Sequence, residues 1–124
     1  MKFYVCEHCG NKVTFVENKG VPVSCCGQNM TELVANTTDA AVEKHVPEVA
    51  VEGNKVTAVV GSVEHPMITE HFIQFIALET EKGSQIKYLK PEEKPVAEFL
   101  VAEGDKAVAV YEYCNLHGLW KKEL

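Results

Sequence analysis

The five cysteines and five histidines of this 124-residue chain fall into two separate groups. Cys6, His8, Cys9, Cys25 and Cys26 stand near the start, and His45, His65, His71, Cys114 and His117 are spread over the remainder. No other feature constrains the fold as much, because each group has to be gathered around one point. A four-sulfur set suits iron or zinc in a closed tetrahedron, whereas four imidazoles plus one thiolate leave a first-row transition metal five-coordinate, with room for a substrate. Chemistry is expected at the second group.

Residues 1 to 36 read as a compact unit: a strand at FYV, a knuckle from Cys6 to Cys9, a strand at KVTFV, a turn at Glu17–Gly20, and a return through Val21-Pro22-Val23 to Cys25-Cys26-Gly27. The segment has too few apolar residues to fold on burial alone, so a metal must supply the missing stability. Neighbours in an extended strand point to opposite sides. Two adjacent cysteines serving one ion therefore need a local backbone turn, which Gly27 would ease. The polar run Ala35–Ala41 reads as a linker.

From Pro47 onward the chain alternates short β-branched runs (VPEVAVEG, KVTAVVGS, HFIQFIALET, SQIKYLK, VAEFLVAEG, AVAVYEYC) with turns such as EGNK, EKGS, KPEEKP and AEGDK. That spacing, with no convincing amphipathic helix between runs, predicts an antiparallel β-sandwich. Val96, Phe99, Val101, Val108, Val110 and Tyr111 are its expected core residues. The fold class is thus all-β, with domains at 1–36 and 37–124.

The formal charge is −6, from 12 lysines, 18 acids and no arginine. A phosphate footprint needs clustered positive charge, so nucleic-acid binding is not expected. A small anion would be repelled by the body as a whole, which makes any lysine beside an open metal site informative. No run approaches the ~20 apolar residues that span a bilayer. An odd number of cysteines, with a C-x-x-C and a cysteine three residues before a histidine, favours metal-bound thiolates over disulfides. A reducing, cytoplasmic setting is therefore expected.

Cys6-x-x-Cys9 with Cys25-Cys26 offers four sulfurs, and ligand type alone leaves iron and zinc equal. His8 lies inside the knuckle, but four thiolates already close that site, so it is read as exposed. In the remainder, Glu43-Lys44-His45-Val46-Pro47, His65-Pro66-Met67, Glu70-His71-Phe72-Ile73 and Cys114-Asn115-Leu116-His117-Gly118 offer ligands from loops that can converge at one end of a sandwich.

These segments resemble the desulfoferrodoxins, the two-iron class of superoxide reductases. The C-x-x-C with vicinal cysteines is similar to a desulforedoxin-type (rubredoxin-like) domain. The EKHVP, HPM-x-x-EH and CN-x-HG-x-W segments resemble the neelaredoxin-like, immunoglobulin-like catalytic domain. The resemblance extends over the whole chain and implies Fe(Cys)4 at Cys6, Cys9, Cys25 and Cys26, and Fe(His)4(Cys) at His45, His65, His71, His117 and Cys114. It implies equatorial imidazoles, an axial thiolate and an open position opposite the sulfur. Such a thiolate donates electron density, as in haem sites, and hydrogen bonds from the Asn115–His117 backbone would tune it.

The implied reaction is one-electron reduction of superoxide to hydrogen peroxide, with electrons from rubredoxin or a similar donor, in a homodimer. Glu43 is implied as the sixth ligand of the oxidised iron. Lys44 is implied to attract superoxide and help deliver protons. Two rival readings remain: a non-catalytic two-iron electron carrier, and an interaction module stapled by zinc. Five protein ligands are more than zinc's usual tetrahedron takes, which disfavours the second.

Overall fold

The computed structural model describes residues 1–124 and divides them into two units, Met1–Val34 and Ala35–Leu124. In the first unit, β1 (Phe3–Val5) is the centre of a three-stranded antiparallel sheet between β2 (Lys12–Thr14) and the later β5 (Thr31–Leu33). The register pairs Phe3 with both Thr14 and Leu33. A tight hairpin, β3 (Ser24–Cys25) and β4 (Gln28–Asn29), is inserted before the last of these strands. The strand expected over KVTFV ends at Thr14. Phe15 leaves it to meet Tyr4 edge-on at 5.2 Å, and Val16 is fully exposed. Phe3 and Cys6 are its buried apolar residues, a core too small to stabilise a domain by burial.

The second unit is a sandwich of two antiparallel sheets. One has the order β10 (Val96–Leu100), β7 (Lys55–Val60), β6 (Pro47–Glu52). The other has the order β12 (Gly118–Glu123), β11 (Ala107–Cys114), β8 (Ile73–Thr80), β9 (Ser84–Tyr88). Strand β7 alternates buried Val56, Ala58 and Val60 with half-buried neighbours, the mark of a strand with one face on the core. Those residues pack with Ile73, Ile76, Leu78, Ala97, Phe99, Val110 and Cys114. Each fully buried branched or aromatic side chain there contributes about 1.5–3 kcal/mol, so this unit has a core that needs no metal.

Four sequence expectations change. Val108 is 39% exposed: the register between β11 and β8 slips between Ala107 and Ala109, and the bulge turns Val108 outward. Val96 is half-buried, whereas Phe99, Val101, Val110 and Tyr111 are buried as expected. A further strand, β12, follows the histidine-bearing turn and pairs with β11 from Cys114↔Gly118 to Ala109↔Glu123. The Ala35–Ala41 segment is no free tether either. Asn36 accepts a hydrogen bond from the Lys121 amide at its Oδ1 (2.8 Å), and its own amide donates to Leu119 O (3.0 Å), stitching the segment to β12.

The second unit converges at one end. Strand β7 runs into it and β6 starts from it, with Pro47 opposite Val60; β11 ends and β8 begins there, with Cys114 opposite Ile73. A one-turn helix, α1 (Val42–His45), precedes β6 at the same end.

Candidate metal centres

In the first unit the chain turns at Cys6, where the Gly10 amide donates to Cys6 O (2.9 Å) and the Cys6 amide to Asn11 O (2.8 Å). This turn aims the Cys9 amide at Cys6 Sγ and the Asn11 amide at Cys9 Sγ, both at 3.4 Å, while Asn11 Nδ2 donates to Cys25 Sγ at 3.6 Å. Cys26 and Gly27 both take left-handed backbone (φ 52° and 76°), the turn that neighbouring cysteines need to face one point. The four sulfurs lie within 4.8 Å of one another, and Cys9 and Cys25 are 3.6 Å apart. A tetrahedron with metal–sulfur bonds of about 2.3 Å has edges of about 3.8 Å.

The Cys9 amide is the largest influence on the Cys6 thiol and helps lower it to about 6, whereas the Cys26 thiol is pushed up to about 12, first by its Cys9 neighbour. Four thiols this close cannot all ionise without a cation between them, so the donor set fits a thiophilic metal. His8 is exposed.

In the sandwich, four imidazoles form a closed ring. Successive centroids are 4.7 Å (His45–His65), 4.6 Å (His65–His71), 5.0 Å (His71–His117) and 4.9 Å (His117–His45), each pair within 15° of perpendicular. His45 and His71 face each other across 6.5 Å, as the diagonal of a near-square requires. His45 Nε2 lies 3.1 Å from His65 Nε2 and 3.1 Å from His117 Nδ1. Two nitrogens about 2.1 Å from a shared ion at a right angle would be about 3.0 Å apart. Cys114 Sγ completes the set: it lies within 4.8 Å of the His45, His65 and His71 donors and 3.9 Å from His117 Nδ1. His71 Nε2 is buried with no hydrogen-bond partner, an orphan that a metal ion would satisfy.

The electrostatics favour ligation. Burial lowers His45, His65 and His71, taking His65 to about 4, so these rings are neutral at pH 7 with their lone pairs free. His45 donates from Nδ1 to Ala41 O and His65 from Nδ1 to Pro66 O, both at 2.7 Å, which presents Nε2 as the ligand atom. Burial raises the Cys114 thiol, while the Leu116 and His117 amides lower it. Of the backbone stretch expected to reach that sulfur, these two amides do so.

Glu43 and Lys44 are exposed on α1 beside His45. The charge of Lys44 contributes to the lowering at both His45 and His71. The helix is gripped at one oxygen: the Val63 amide (2.9 Å) and Ser62 Oγ (3.2 Å) both donate to Glu43 O. A Cβ on Gly61 would sit 2.7 Å from that same oxygen, so glycine is required for the approach.

Sequence reasoning assigned no role to several residues around this centre. Trp120, within the CN-x-HG-x-W segment, stacks on His45 (4.9 Å, 24°) and donates from Nε1 to His117 O (3.1 Å), bracing the ring of one histidine and the backbone of the next. Glu112, two residues before Cys114, is fully buried with both carboxylate oxygens unpartnered, and burial raises its carboxyl well above the usual range. Its position in an apolar-looking strand carried no signal of that burial beyond the alternation of β11.

A family model described as Desulfoferrodoxin matches residues 37–123. The desulfoferrodoxin of Clostridium acetobutylicum is 43% identical over 125 residues, covering 100% of this chain and 97% of that one. Among solved structures, the superoxide reductase from Treponema pallidum superposes with a TM-score of 0.83 at 36% identity and covers 98% of each chain. A one-iron superoxide reductase from Giardia intestinalis (TM-score 0.57, 37% identity) covers 66% of this chain and 99% of that one. No helix is long and apolar enough to cross a membrane. With a family match over the larger unit and a relative alike from end to end, both donor clusters included in its span, this chain belongs to the desulfoferrodoxin family.

Proposed function

We propose that the chain is a superoxide reductase with iron at both centres: Cys6, Cys9, Cys25 and Cys26 holding one ion, and His45, His65, His71, His117 and Cys114 holding the other. The observation that carries this reading is the square of four imidazoles with the buried Cys114 sulfur beside it. Five protein donors exceed the zinc tetrahedron and suit an ion with a coordination position to spare. The chemistry an iron ion supplies there is a one-electron couple, by which superoxide, one electron and two protons give hydrogen peroxide.

The chain's own groups do the rest. His45, His65 and His71 are held neutral by burial and so leave the positive charge of a bound ion uncancelled, which draws an anion toward the site. Lys44 adds a local positive charge against the overall −6 and donates protons near the rings. Glu43, on the same helical turn, supplies the carboxylate of the resting oxidised site. The Leu116 and His117 amides restrain the electron donation of the Cys114 thiolate.

Domains at 1–36 and 37–124, rubredoxin or a similar carrier as electron donor, a homodimeric state and a cytoplasmic setting complete the reading. The match between about two thirds of this chain and a one-iron superoxide reductase supports a reaction that needs only one of the two centres.

Purified protein is expected to be coloured, to contain two irons per chain, and to convert superoxide to hydrogen peroxide without releasing dioxygen. A colourless zinc protein, or coloured protein inert to superoxide, would overturn the proposal, the latter in favour of an electron carrier. Stopped-flow kinetics on Cys9→Ser decide the part of the sulfur site: unchanged reaction with superoxide but slower re-reduction assigns it as a relay, and unchanged rates in both assign it to stability.

A further inference from the structure

Two of the four rings in the histidine square are held directly. His45 has its Nδ1 bond to Ala41 O and the stacked Trp120, and His65 has its Nδ1 bond to Pro66 O, whereas His117 is held through its backbone carbonyl by Trp120 Nε1. The His71 ring makes no hydrogen bond to the protein, and its buried Nε2 is without a partner. What is held instead is the backbone on either side of it. Asn115 Nδ2 donates to Glu70 O (3.0 Å), the Phe72 amide donates to Asn115 Oδ1 (2.9 Å), and the Asn115 amide donates to Phe72 O (3.2 Å). On the other flank, the His71 amide donates to Ile68 O and the Ile68 amide to His71 O, both at 3.1 Å.

From this pattern we infer that Asn115 is the positioning residue of His71. Its side chain brackets the His71 peptide, and because it directly follows Cys114 it ties the loop carrying the thiolate to the loop carrying a ring with no hydrogen bond of its own. Only an amide one methylene from the backbone offers an acceptor to the Phe72 amide and a donor to Glu70 O at this spacing. Alanine removes both groups, and glutamine carries both too far out. The inference rests on the histidine cluster being the metal centre proposed above.

The test is a Co(II) titration of the full-length protein stripped of metal. Trp120 is the chain's single tryptophan and stacks on His45, so quenching of its fluorescence reports filling of the nitrogen-rich site. Thiolate-to-Co(II) absorption reports the sulfur site as an internal control. Asn115→Ala is expected to weaken Co(II) binding at the histidine site by about 10–100-fold, the range for lost supporting partners of a ligand. Its ligand-field bands should shift while the four-cysteine site binds as before.

Asn115→Gln should show the same effects, smaller in size, and it decides the matter if the alanine variant does not fold. Wild-type affinity and wild-type bands in the folded variants would overturn the role of Asn115. An unaltered chain whose Trp120 fluorescence ignores Co(II) would overturn the metal-centre reading, and this inference with it, a result distinct from the preceding one.

Discussion

The sulfur cluster and the histidine cluster are held by different means. In the first unit, Cys9 and Cys26 are exposed, and the sulfurs are gathered by backbone turns and amide hydrogen bonds around a minimal apolar core. In the second, His45, His65 and Cys114 are at most 2% exposed and rest on a sandwich whose core, which includes Cys114, extends far beyond them. The difference teaches that a metal can be part of the fold or a guest of it. The first unit needs its ion to remain ordered, so its donors are saturated and left with electron exchange or stapling. The second can hold an incompletely satisfied donor set because β-sheet packing offsets the cost of burying His45, His65 and the Cys114 thiol.

Metal removal tests that contrast most severely. Chelation should abolish the order of the first unit, since structural metal sites supply roughly 10 kcal/mol or more of folding free energy, while the sandwich stays folded. Hydrogen exchange should find the amides of Phe3–Val5 unprotected and those of Ile73–Thr80 still protected; equal loss in both units would break the comparison.

Substituting Cys114→Ser strikes the other side. Superoxide reduction should be abolished, and the absorption of the sulfur centre should remain unchanged; retained activity would remove the thiolate from the mechanism.

Acid should separate the units more gently. Burial lowers His65 from 6.5 to about 4, so the metal-free folded state binds fewer protons than the unfolded state between those values. The stability this ring allows is fully present above about pH 6.5, falls as the pH drops through the window, and levels off below about 4, a loss on the order of 3 kcal/mol. His45 and His71 shift in the same direction. Melting temperatures of the metal-free protein across this range check the sign; a flat profile would mean that the rings are not held neutral.

The smallest effect is expected at Lys44→Ala, about a tenfold slower reaction with superoxide and a weaker dependence on ionic strength. Unchanged stopped-flow rates would make Lys44 an ordinary surface cation.

Much of this was legible from the residues. The nine donors stand out because cysteine and histidine are sparse, and the strand runs from Pro47 to Cys114 match β6 to β11 because alternation and turn residues act over a few positions. The missed features depend on register or distance. Val108 faces outward because of a bulge, and β12 went unnoticed because GLWKKE is short and half charged. Asn115, Trp120 and Gly61 acquire their parts only when β6, β7, β8, β11 and β12 meet at one end.

The sequence by itself determined which atoms can bind metal and that they form one sulfur-rich and one nitrogen-rich set, since donor chemistry belongs to the side chain. It also determined an all-β body, since the period-two pattern is local. Only the tertiary structure decided that His117 presents Nδ1 where His45 and His65 present Nε2, that the rings stand as a perpendicular square, and that Asn115 reaches across to His71. Those outcomes depend on side chains from separate strands meeting at fixed distances, and such distances are set by packing over the whole sandwich.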